Sequence, residues 1–118
     1  MRQNTKEQVR ELICSDAVSK DLNIAHQNRH LRDSGGYIEG RSYLFDDVDP
    51  EILIQQYHGT GEIRLSRAGN WICKEFVTLD RNIGIHIGDD ANIRTITNSF
   101  AIHYSKRGAH IVPSRPRR

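Results

Sequence analysis

Between Glu62 and Val112 the sequence runs as five short apolar segments separated by turns. EIRLS (62–66), WICKEFVTL (71–79), IGIHI (83–87), IRTITNSFAIHY (93–104) and AHIV (109–112) are rich in β-branched and aromatic residues. RAGN, DRN, GDDAN and SKRG lie between them, all of turn composition. A parallel crossover needs about a dozen residues or more, so connections this short restrict successive strands to antiparallel pairing.

Before this stretch the signals are helical. Thr5 can cap a helix, and Gln8 three positions later completes a capping box. Val9, Leu12 and Ile13 continue an apolar face to about Val18. The run 21–40 reads as a loop. Asp49 then N-caps a second helix with Pro50 at its first position, and Gly59 ends it. Helices followed by strands predict an α+β domain, its N-terminal helices packed on a four- to five-stranded antiparallel meander. The other sheet face is left for polar chemistry.

A chain of 118 residues bounds this to one domain, with residues 1–25 as N-terminal helix and linker. No apolar run approaches the ~18 residues of a membrane span. No basic-then-apolar signal segment opens the chain, so export is not expected to be encoded here. Cys14 and Cys73 lack metal-binding spacing and are expected to be reduced core residues. Charge is unevenly placed. Residues 42–90 hold nine acids against four bases, and after Asp90 there are six bases and no acid. A basic end beside an acidic middle suggests a surface that faces a polyanion.

The basic end also carries the densest chemistry. IHYSKRGAHIVP (102–113) holds His103, Tyr104, Ser105, Lys106, Arg107 and His110 around a turn. Gly108 favours a three-residue loop closed by a left-handed glycine, pairing Tyr104 with His110 and His103 with Ile111. That register puts the two histidines on opposite faces. A two-residue turn would set them opposite each other on one face.

Elsewhere, His26 and His30 form an HxxxH that on a helix could bind a metal. No third ligand completes a site by spacing, and loop histidines are the commoner reading. GYIEGRSYL delivers Arg41 and Ser42 after two glycines, suited to holding a phosphate. It lacks the Walker lysine, so nucleoside triphosphate binding is not supported. Glu75 shares an apolar strand face with Val77, so it must be paired, most simply with an arginine, or act as a general base. His86 reads as a solvated strand residue and His58 as a helix-end residue.

If His30, Arg41, Ser42 and one hairpin histidine converge on the open sheet face, they meet the needs of metal-independent RNA cleavage. Histidines near neutral pKa move the protons, and cations hold the phosphate. The 2′-hydroxyl would attack and leave a 2′,3′-cyclic phosphate, sparing DNA.

The runs HQNRHLRDSGGYIEGRSYL, LIQQYHGTGEIRL, NWICKEFVTLDRNIGI and TNSFAIHYSKRGAHIVPSRP, spanning 26–116, resemble the polymorphic toxin type 50 domain. That family is similar to predicted RNase toxins of the barnase–EndoU–colicin–RelE group. The resemblance implies an RNase, with tRNA as a candidate substrate; no cofactor and no metal are expected. It implies delivery as the C-terminus of a larger secreted or surface protein into a target-cell cytoplasm. A cognate immunity protein, expected to be acidic, would bind the monomeric toxin. Carried onto this chain, the resemblance makes His30, His103, His110, Arg41, Lys106 and Glu75 catalytic. Ser42, Tyr104 and Ser105 would bind substrate, joined by Arg107 and Arg115 of the basic end. A silent binding module of a phage structural protein is the alternative from another class, and a metal nuclease through His26 and His30 is a third reading.

Overall fold

The turn-rich half of the chain does build antiparallel strands, but in two sheets. A computed structural model describes residues 5–90 and 93–117. Residues 91 and 92 of the GDDAN turn, and Arg118 of the basic tail, lie outside the described residues.

The order is α1 (Lys6–Ile13), α2 (Ile24–Asn28), β1 (Tyr43–Leu44), α3 (Pro50–Tyr57), β2 (Glu62–Leu65), β3 (Trp71–Thr78), β4 (Gly84–Ile87), β5 (Arg94–Thr97), β6 (Ser99–Ser105) and β7 (Gly108–Pro113). The α+β class holds. The single meander does not: β2-β3-β6-β7 form one sheet and β1-β4-β5 another, all pairs antiparallel. The expected strand 93–104 divides at Asn98. At this bend the Leu79 N–H donates to the Asn98 main-chain carbonyl at 2.9 Å, and the Asn98 side-chain amide donates to the Leu79 carbonyl at 3.1 Å. β4 and β5 thereby leave the main sheet, and β6 returns to pair with β3.

Local helix signals hold well. Thr5 and Gln8 form the capping box of α1, and Asp49 caps α3 with Pro50 in its first turn. Gly59 takes φ 83 after α3, where a side chain is strained. α1 stops at Ile13, short of Val18, and the expected loop 21–40 contains α2, capped by Asn23.

Alternation along the main sheet divides its faces. Ile63, Val77, Phe100, Ile102 and Ile111 enter the core with Val9 and Ile13 of α1 and Leu53 and Ile54 of α3. The opposite face carries Arg64, Lys74, Phe76, Ala101, His103 and His110. Both cysteines are free and exposed, contrary to the core expectation. Cys73 takes φ 62 where the β2–β3 register shifts, and this break turns its side chain out of the alternation.

Candidate active site

The register of the terminal hairpin decides which side chains meet. Ser105 pairs with Gly108, Tyr104 with Ala109 and His103 with His110. The loop is therefore Lys106-Arg107, and the three-residue loop expected from Gly108 is corrected. Gly108 does have positive φ, 118°, but for a different reason. A Cβ there would lie 2.5 Å from the Asp21 carbonyl oxygen. The glycine admits the backbone of Asp21–Asn23, which bonds both the N–H and the carbonyl of Ala109, at 2.7 and 2.8 Å. The two hairpin histidines consequently share the open face.

The same edge of β7 positions two further histidines. Gln27 of α2 is buried, and its side-chain amide bonds Ile111 twice, donating to the carbonyl at 2.9 Å and accepting from the N–H at 2.6 Å. The amide thus completes a strand edge that would otherwise be unpaired. It fixes α2, which carries His26, and the turn after it, which carries His30, beside β7. The His30 ring lies 5.8 Å from His110, nearly parallel at 15°. His26 meets His110 edge-on at 5.3 Å, and His103 lies 4.9 Å from it. His110 is the hub of a four-histidine cluster.

His30 is held at two points. Its Nδ1–H donates to the Ser42 carbonyl at 2.8 Å, and its own carbonyl accepts from Leu44 N–H at 3.0 Å. A carbonyl accepts only, so Nδ1 carries the proton and neutral His30 presents a free lone pair on Nε2. The Ser42 hydroxyl accepts from Ile87 N–H at 2.9 Å and lies 3.4 Å from His86 Nδ1. Ser42 is buried and ties the Arg41 loop to β4. His86 is half-buried beside it, where a solvated position was expected.

Burial and mutual repulsion set the charge state of the cluster. Burial, then Lys74 and His30, lower His103 to about 4. Burial, then His103, His30, His26 and Arg29, lower His110 to about 3. His30 is lowered chiefly by burial, against its bond to Ser42, with Arg41 and Arg29 adding to the fall. At neutral pH His30, His103 and His110 are neutral bases among cations, a setting that favours an incoming anion. Unfolded histidines titrate near ~6.5, so below that pH the unfolded chain binds more protons than the folded one. Stability is expected to fall as pH drops from about 6.5 toward the folded values, by up to ~1.4 kcal/mol per pH unit for each histidine kept neutral. Urea titrations at pH 7 and pH 5 check this. His110→Asn should flatten the slope, and an unchanged slope would contradict the shifts.

The other expected site residues divide. Arg41 joins the cluster through its effect on His30. Ser105 is engaged in its own turn, accepting from Arg107 N–H and donating to the Gly108 carbonyl. Lys106 lines a cavity with Trp71, Cys73 and Tyr104 away from the histidines, and Arg107 and Arg115 are exposed. Glu75 and Tyr104 lie on the core face. Glu75 is 0% exposed, and accepts from Gly59 N–H at 3.0 Å, Gly61 N–H at 2.7 Å and the Tyr104 hydroxyl at 2.7 Å. Burial and this carboxylate raise the Tyr104 pKa. The pair clamps the loop after α3, and among the described residues no arginine partners Glu75. Arg10 donates instead to the carbonyls of Gly59 and Gly61.

Lys74, Arg29 and Gln27 escaped the sequence reading. Lys74 pairs with His103 across β3–β6, a non-local relation, though its alternation with Phe76 was visible. Gln27 between two histidines carried no signal of its edge-capping bonds. Gln27→Leu is expected to cost ~2 kcal/mol by stranding the Ile111 groups. It should also shift the NMR resonances of His26, His30 and His110 and spare His58, which bonds Ile54 within α3. Among the described residues, no three His, Cys, Asp or Glu side chains converge so as to hold a metal ion.

Comparison with known proteins gives one family. The family described as bacterial toxin 50 (Ntox50) matches residues 22–113, which include all four clustered histidines. No curated protein matches the chain.

Proposed function

The chain belongs to the bacterial toxin 50 family, and from that premise we propose that it is a metal-independent endoribonuclease acting as a toxin domain. The observation that carries the reading is His103 opposite His110 on the open sheet face, with His30 stacked on His110 and Lys74 beside His103. RNA cleavage needs a group to take the 2′-hydroxyl proton and another to protonate the leaving 5′-oxygen. Two histidines whose centroids are 4.9 Å apart can divide these roles across one phosphodiester. A bound phosphate raises the pKa of the rings it touches, which lets one of them carry the donated proton. Lys74, Arg41 and Arg29 neutralise the charge that builds on the phosphorus oxygens. The products are a 2′,3′-cyclic phosphate and a 5′-hydroxyl.

The proposal extends to fold and biology. Helices preceding an antiparallel sheet with a polar open face suit the barnase–EndoU–colicin–RelE group. Delivery as the C-terminus of a larger protein, action on RNA (tRNA among the substrates) in the target cytoplasm, and an acidic immunity partner follow from the toxin reading. Such a partner would complement the basic end. No described helix is long and apolar enough to cross a membrane.

Incubation of the purified domain with total RNA and tRNA in EDTA tests this reading. Cleavage with cyclic-phosphate ends supports it. Intact RNA over a wide protein range, with the fold verified by circular dichroism, overturns it in favour of a silent binding module. Cleavage that EDTA abolishes would instead support the metal reading.

A further inference from the structure

One side-chain stack on the open face takes no part in the proton chemistry. Arg64 lies over the Phe76 ring, its guanidinium carbon 3.8 Å from the centroid. Glu62 bonds the Arg64 Nε at 2.9 Å and also pairs with Arg117, so the guanidinium is held flat from one side. The Arg64 side chain stays 39% exposed. Its planar outer surface is therefore both fixed and accessible.

The stack stands one step from the histidines along the sheet. Phe76 pairs with Ala101, and Lys74, two residues earlier on the same face, pairs with His103. Same-face neighbours on a strand are roughly 6.6 Å apart. Ala101 separates Phe76 from Val112 by only a methyl group, and Lys74 stands next to Phe76 on the way to His103, so a cation lies between the stack and the histidines. A cavity of about 470 Å³ opens beside Phe76, lined in part by Gln56, Thr60, Glu62 and Thr78. These side chains offer amide, hydroxyl and carboxylate groups to a planar polar edge. The Glu62 carboxylate also repels phosphate, whereas Lys74, Arg29 and Arg41 attract it, so the two ends of the face suit different parts of a nucleotide.

Resting on the ribonuclease reading above, we infer that Arg64 and Phe76 form a nucleobase subsite, stacking a base next to the scissile phosphate while the histidine cluster holds that phosphate. Single-strand binding sites combine basic grooves with flat π surfaces in this way, and guanidinium planes stack on bases as aromatic rings do. The subsite gives the enzyme purchase on unpaired RNA, because a base in a duplex cannot lie flat on the stack.

Arg64→Lys keeps the charge and removes the plane, and Phe76→Leu keeps the apolar contact and removes the ring. Each is expected to weaken binding of a fluorescent single-stranded RNA by about tenfold, measured by anisotropy in the His110→Asn background. An oligonucleotide carrying one abasic ribose at the subsite should lose the same factor against an otherwise unmodified site, and nothing more against Arg64→Lys. Wild-type affinity in Arg64→Lys, or an equal abasic penalty with and without Arg64, overturns the subsite. Binding reads the subsite whether or not RNA is cut. A protein that binds through Arg64 without cleaving retains the subsite and loses the nuclease reading, and one that cleaves indifferently to Arg64 does the reverse.

Discussion

His110→Asn is expected to lower RNA cleavage by ~10²–10⁴-fold, the usual contribution of a positioned general acid or base. Asparagine matches much of the ring's size and hydrogen bonding but carries no proton near neutral pH. His110 is the hub that three other histidine rings contact. His103→Asn should cost a similar factor. The double variant should be little worse than either single one, because in the proposed mechanism the two rings act on one phosphodiester and their losses do not add. Circular dichroism and urea titration at pH 7 should show both variants folded, since burial of a neutral ring is relieved, not broken, by the change. Retention of cleavage within threefold in both would remove the proton-transfer role from the hairpin.

Glu75 is expected to behave in the opposite way. Its carboxylate accepts from three buried or half-buried donors, the N–H groups of Gly59 and Gly61 and the Tyr104 hydroxyl. Each stranded donor costs ~1–3 kcal/mol. A domain of this size holds ~5–15 kcal/mol in all, so Glu75→Ala should leave little folded protein at 37 °C. Glu75→Gln is the informative variant. One of its side-chain termini becomes an amide donor facing an N–H donor, with an expected loss of ~3 kcal/mol. Gly61 is packed closely here, since an added Cβ would clash with the Phe76 carbonyl oxygen and the Glu75 side chain. Urea denaturation should therefore show a large fall in midpoint, while cleavage per folded molecule stays near wild type. A loss of specific activity without loss of stability would return Glu75 to the catalytic residues.

These two residues mark how much could be read without the fold. Where a signal is local it was legible. Thr5 with Gln8, Asp49 with Pro50, and the short turns each act over a few residues, and the caps and antiparallel pairings follow from them. The division into two sheets is not local. It depends on Asn98 bending the chain so that β6 pairs with β3 across the β4–β5 excursion. Glu75 reads in the sequence as a carboxylate needing partners, but those partners are two backbone N–H groups sixteen and fourteen residues away and the Tyr104 hydroxyl twenty-nine residues on, which no spacing rule reveals. Gly108 was legible as a positive-φ residue. Its reason, the approach of Asp21, lies at the far end of the chain. In the observed register His103 faces His110, and a cluster stands where the two histidines read as alternatives.

The proposed mechanism has histidines on this face activating a ribose 2′-hydroxyl. The most direct measurement takes an RNA oligonucleotide that the domain cleaves at a mapped position and replaces the nucleotide 5′ of that bond with its 2′-deoxy form. Cleavage at that bond should disappear, with cutting elsewhere unaffected, because the nucleophile has been removed. Continued cleavage at the 2′-deoxy position, leaving a phosphate end that is not cyclic, would mean that water attacks and that the histidine cluster does other chemistry.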